Sequence, residues 1–102
     1  MYPLIQQHRN DLETLCRRYH VKRLELFGSA ATGDFKPESS DLDFLVEFAP
    51  EHADRAFDDY FGLLEDLNKL FGRRVDLVSA KAMKNRYFIE EVNKNRQPVY
   101  AA

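Results

Sequence analysis

Residues 41–48 run Asp-Leu-Asp-Phe-Leu-Val-Glu-Phe, and this alternation constrains the fold more than any other stretch of the chain. Successive side chains of an extended strand point to opposite faces. Leu42, Phe44, Val46 and Phe48 therefore share one face, and Asp41, Asp43, Leu45 and Glu47 share the other. A second run of the same kind, Val-Lys-Arg-Leu-Glu-Leu-Phe at 21–27, stops at Gly28.

Helical spacing surrounds these strands. Ile5, Leu12, Leu15, Cys16 and Tyr19 fall on one stripe and predict a helix over 4–19. Phe57, Tyr60, Phe61, Leu64, Leu67 and Phe71 predict another over 54–71, after a break at Pro50, with Gly72 suited to its C-terminus. Residues 29–32 suit one short helical turn, and 34–40, with Pro37, a loop. Arg74 to Val78 reads as a short strand, Ser79 as a cap, and Phe88, Ile89 and Val92 as marks of a last helix. Val99 and Tyr100, after Pro98, suit a brief edge strand. This order predicts an α+β fold, a small mixed β-sheet flanked by helices. With 102 residues the expectation is one domain over 1–102.

Composition excludes several functions. Fifteen basic and 17 acidic side chains give a formal charge of −2, which supplies no basic field to attract a polyanion. A template-reading polymerase and a nucleic-acid-binding module are both disfavoured. The clusters Arg17-Arg18, Arg73-Arg74 and Lys81 to Arg86 read, singly, as solvated ends of elements. No apolar run approaches the roughly 18 residues of a spanning helix, and the N-terminus lacks the regions of a signal peptide. A cytoplasmic protein without a membrane partner is expected. Cys16 is the only cysteine, and its place on the apolar stripe predicts a buried, inert thiol. His8, His20 and His52 share no metal-binding spacing and read as surface residues.

Two constellations carry chemistry. Asp41 and Asp43, two apart on a strand, project side by side, roughly 7 Å apart at Cα. Such charges repel unless a cation sits between them, and Mg²⁺ is the natural one, taking one or two carboxylates plus phosphate oxygens. Asp76, between Val75 and Leu77, is the candidate third ligand, completing about the set a two-metal phosphoryl-transfer site needs. Gly28-Ser29 at a strand end exposes backbone N–H groups and a hydroxyl to phosphate oxygens. Either motif alone is more often a solvent-facing pair or a plain turn. Together, joined by an 11-residue connection, they set an anion donor beside a metal site.

The runs Leu26-Phe27-Gly28-Ser29-Ala30-Ala31-Thr32-Gly33 and Ser40-Asp41-Leu42-Asp43-Phe44-Leu45-Val46 resemble the signature of the DNA polymerase β-type nucleotidyltransferase superfamily. Arg74-Val75-Asp76-Leu77-Val78 is similar to the strand that carries its third carboxylate. Within the superfamily, nearly the whole chain resembles the minimal nucleotidyltransferases, the MntA-like antitoxins paired with HEPN-domain toxins. The resemblance implies a polymerase β palm-like fold and a Mg²⁺-dependent enzyme. It implies Asp41, Asp43 and Asp76 as catalytic metal ligands, and Gly28 and Ser29 as binders of the phosphates of ATP or another nucleoside triphosphate. It also implies transfer of AMP to a tyrosine of a partner HEPN toxin. Two departures stand out: eleven residues, not ten, separate Gly-Ser from D-x-D, and Thr32 stands where many relatives carry Arg, which would either weaken nucleotide binding or pass the task to Lys36 or Arg23. The alternative is an antitoxin of the same fold that neutralises its toxin by binding alone. Tyr87, Phe88 and Tyr100 are the aromatic candidates for a docking surface.

Overall fold

The structure, a computed structural model, describes residues 3–28, 42–80, 90 and 96–102. The elements are α1 (Pro3–Gln7), α2 (Arg9–Arg18), β1 (Val21–Phe27), β2 (Leu42–Phe48), a 3₁₀ turn (Pro50–Arg55), α3 (Ala56–Phe71), β3 (Val75–Ser79) and β4 (Gln97–Ala101). The expected turn at 29–32, the loop at 34–40 and the last helix with Phe88, Ile89 and Val92 lie outside the described residues.

The four strands form one sheet in the order β3-β2-β1-β4. β1 pairs antiparallel with β2 and with β4, whereas β2 and β3 run parallel, so the sheet is mixed. Alternation sorts its faces as expected, except at Val21, which joins the core across a register shift between Val21 and Arg23. Leu24 and Leu26 of β1, Leu42, Phe44 and Val46 of β2, and Val75 and Leu77 of β3 join Ile5, Leu12, Leu15 and Cys16, and Leu63, Leu67 and Phe71 of α3, in one core. Each fully buried side chain of this kind stabilises by about 1.5–3 kcal/mol. Cys16 is fully buried, and burial, followed by the nearby charge of Glu13, pushes its thiol up to about 12, so it is inert. The opposite face buries a smaller cluster, Phe27 and Leu45 with Val78 and Ala80 against them.

Three expectations need correction. The single helix over 4–19 is two helices, because His8 (φ −106°, ψ 18°) departs from helical geometry and packs edge-on against Phe71. Ile5 is buried alongside Leu12, Leu15 and Cys16, so the apolar stripe survives the break that it conceals. The aromatic stripe of α3 is not all core: Phe57 and Phe61 are 75% and 50% exposed, and Leu63 packs inside instead. The histidines are not simple surface groups. His20 and His52 stack at 3.8 Å, and Nδ1 of His20 lies 3.0 Å from Oδ2 of the buried Asp59. Gly72, with φ 62°, ends α3 as expected. Pro98 lies within β4, where an edge strand tolerates its missing N–H.

β3 is the other edge, and α3 covers it. The N–H of Val75 donates to Asn68 Oδ1 at 2.8 Å, and the hydroxyl of Tyr60 donates to the carbonyl of Leu77. Two backbone groups of the outer edge thus find side-chain partners, which blunts a template for strand addition. Among the described residues, no helix is long and apolar enough to cross a membrane.

Candidate active site

Register brings the carboxylates together. Asp43 of β2 lies opposite Asp76 of β3 in the parallel pair, where strands are roughly 4.8 Å apart. Their neighbours Leu42, Phe44, Val75 and Leu77 are all buried on the core side, so alternation turns both carboxylates to the other face. Each aspartate stays half-exposed, open to a ligand. Nε of Arg74 lies 3.6 Å from Oδ1 of Asp76, an ion pair between largely solvated groups.

Gly28 closes β1 directly above Asp43. Phe27 is the register partner of Asp43, and Gly28 adopts φ 72°, a conformation that disfavours any side chain. A Cβ on Gly28 would lie 2.3 Å from Asp43 Oδ2 and 3.2 Å from its Cγ. The glycine is therefore required twice, by the turn and by the carboxylate against it. A cleft of about 340 Å³ opens here, lined by Phe27, Asp43 and Asp76 at one side and Tyr60, Leu64 and Leu77 at the other. It wraps the outer edge of β3 and joins the carboxylate face to the flank of α3.

Of the expected site residues, Gly28, Asp43 and Asp76 converge, while Ser29 and Asp41 lie outside the described residues. Among the described residues no cluster of three His, Cys, Asp or Glu side chains forms a metal site. Two hard oxygen donors on adjacent strands, with a side-chain-free backbone against one of them, fit a divalent cation that is shared with a phosphate. Arg23 does not stand in for a missing cation at Gly28. It is the third residue of β1, about 16 Å along the strand from Gly28 at 3.3 Å per residue, and its guanidinium pairs with Glu47 at 3.3 Å and Glu25 at 3.9 Å. Lys36 and Thr32 lie outside the described residues.

Tyr60 and Leu64 line the cleft without having been expected there. Their helical spacing marked them only as apolar, and the position of α3 beside the edge of β3 is a tertiary fact. Glu25 was also unexpected: it is buried on the carboxylate side of the sheet and held by Arg96 Nε at 3.2 Å.

Residues 8–99 match the family model described as nucleotidyltransferase domain. The chain belongs to the nucleotidyltransferase family. As a nucleotidyltransferase it is 35% identical over 92 residues to a Methanocaldococcus jannaschii protein provisionally named a protein adenylyltransferase, covering 90% of this chain and 87% of that one. A solved structure provisionally described as a minimal nucleotidyltransferase superposes with a TM-score of 0.75 at 34% identity, covering 91% of this chain and 90% of the other. A chain in the structure of a tri-AMPylated Shewanella oneidensis HEPN toxin in complex with MNT antitoxin gives a TM-score of 0.65, covering 96% of this chain and 73% of that one. At 19% identity that last likeness concerns the fold. The resemblance read from Gly28-Ser29 and D-x-D thus reaches the family. A Thermococcus cleftensis relative named protein adenylyltransferase MntA, 34% identical over 80% of this chain and 76% of its own, carries it to the MntA-like branch. The expected α+β fold is the fold observed.

Proposed function

We propose that this nucleotidyltransferase moves AMP from ATP to a tyrosine hydroxyl of a HEPN-domain toxin, and so acts as its antitoxin. The observation that carries this reading is the pairing of Asp43 with Asp76 beside a strand end whose Gly28 backbone lies hard against the Asp43 carboxylate. Support for a protein acceptor comes from the relative named for protein adenylylation and from the shared fold with the chain crystallised beside an AMPylated HEPN toxin.

Asp43 and Asp76, with Asp41, would hold Mg²⁺, which supplies neutralisation of the triphosphate charge when bound. Gly28 and Ser29 cradle the β- and γ-phosphates through backbone N–H groups and the Ser29 hydroxyl. Asp76, facing the cleft, orients the acceptor hydroxyl and favours loss of its proton. The hydroxyl oxygen then bonds to the α-phosphorus, the bond from that phosphorus to the β-bridging oxygen breaks, and pyrophosphate leaves. Positioning and charge stabilisation carry most of the rate. A donor drawn from the cellular ATP pool accords with the expected cytoplasmic location.

The test is transfer of label from α-labelled ATP to a purified HEPN-domain toxin. Asp43→Asn is expected to lower labelling by at least about 10²-fold, the scale of losing one electrostatic stabiliser, without lowering the unfolding midpoint. Wild-type labelling by that variant would sink the assignment.

A further inference from the structure

Phe57 and Phe61 stand one turn apart on α3, their rings 4.7 Å from centroid to centroid, and both are exposed. Phe61 also meets the ring of Tyr60 edge-on at 5.1 Å, and Tyr60 lines the cleft that holds Asp43 and Asp76. The aromatic ridge is therefore continuous, through one ring contact, with the candidate site. We propose that this ridge is the docking surface for the acceptor protein, which covers it with an apolar groove rimmed by Lys and Arg. The inference rests on the reading of a protein acceptor given above.

Three observations select that occupant. First, a ridge of two large apolar rings beside a half-open cleft is the kind of exposed patch that marks an interaction site, and an acceptor hydroxyl delivered to Asp76 must arrive with its protein seated nearby. Second, the exposed acids Asp54 and Asp58 lie beside the ridge with the exposed Arg55, while Glu65, one turn beyond Phe61, is already paired with Lys69 at 3.1 Å. A second copy of this chain meeting the ridge across a two-fold axis would set these acids against themselves, whereas a basic rim would complement them. Third, strand addition beside the ridge is blocked where Asn68 and Tyr60 already occupy backbone groups of the β3 edge. Contact through side chains, of the helix-in-groove kind, is what remains.

The experiment measures steady-state AMP transfer to a purified HEPN-domain toxin by wild type, Phe57→Ser/Phe61→Ser, and Asp54→Lys/Asp58→Lys. ATP binding is followed in parallel by thermal shift with Mg²⁺ and ATP, and oligomeric state by sedimentation. For both variants the expected result is a KM for the toxin raised at least tenfold, with kcat and the ATP-induced shift within twofold of wild type. The charge-reversal variant retains the rings and isolates the rim should the aromatic variant fold poorly. An unchanged KM in both variants overturns the inference, as does a dimeric wild type that the aromatic variant renders monomeric without change in KM. A wild type that binds ATP but labels no toxin overturns the acceptor reading itself, and the docking inference falls with it.

Discussion

At the scale of single residues, the site depends on one atom that is absent. Gly28 and Gly72 both adopt left-handed backbone, φ 72° and 62°. A Cβ at Gly72 would meet nothing within 4 Å, whereas one at Gly28 would collide with the Asp43 carboxylate at 2.3 Å. The pair separates backbone strain from crowding. Gly72→Ala should cost about 1–2 kcal/mol for the left-handed conformation alone, or roughly 4–8 °C in midpoint per kcal/mol, and keep transfer intact. Gly28→Ala should lose at least as much stability and nearly all transfer, because Asp43 must move. Thermal unfolding and the transfer assay, run on both variants, check this. Equal activity in the two would mean that the close approach of Gly28 to Asp43 has no catalytic consequence. The sequence already marked Gly28, with Ser29, as a strand end whose backbone N–H groups face a phosphate. It could not show that this backbone packs against Asp43.

At the scale of elements, alternation was legible and neighbours were not. A period of two is a property of the strand itself, so the buried faces of 22–27 and 42–48 followed from alternation along the chain, whereas Val21 joins the core across a register shift between Val21 and Arg23 that the pattern did not show. The pairing of Asp43 with Asp76 depends on a parallel register between segments distant in sequence, with α3 between them. The break at His8 was hidden because the apolar stripe continues across it. Phe57 and Phe61 match the helical period of α3 yet lie outside the core, because only the packing of α3 decides which flank is covered. That packing yields the cover of the β3 edge. Tyr60→Phe removes the donor to the Leu77 carbonyl, and Asn68→Ala removes the acceptor for the Val75 N–H. Each should destabilise by about 1 kcal/mol, the usual net worth of a hydrogen bond. The double variant should also associate as concentration rises, because the edge is then open to another strand. Urea unfolding and sedimentation equilibrium test the two effects separately. A monomeric double variant would show that α3 guards the edge by bulk alone.

At the scale of the whole molecule, the same carboxylates that serve chemistry work against the fold. Like charges directly opposite on paired strands are destabilising, and cross-strand pairs are worth about 0.2–1 kcal/mol, an appreciable part of a folding free energy of about 5–15 kcal/mol. Asp43 and Asp76 are so placed. The contact of Asp76 with Arg74 offsets little, since a 3.6 Å pair between exposed groups contributes about 0–1 kcal/mol. Asparagine at position 76 would keep an oxygen for Arg74 while removing the charge that faces Asp43. Asp76→Asn is therefore expected to raise the unfolding midpoint of the metal-free protein by a few degrees at low salt. The gain should shrink near 1 M salt, where the screening length is about 3 Å. With Mg²⁺ and ATP the order reverses. Ligand at about 100 times its dissociation constant stabilises the wild type by roughly 2.7 kcal/mol, and the variant, lacking one of the donors, should show little of that gain. A crossing of the two midpoints on adding Mg²⁺ and ATP would identify the pair as a site held against the preference of the fold. A lower midpoint for Asp76→Asn in the metal-free, low-salt protein would show instead that Asp76 is a structural ion-pair partner, and would shift the metal-binding role onto Asp43 and Asp41.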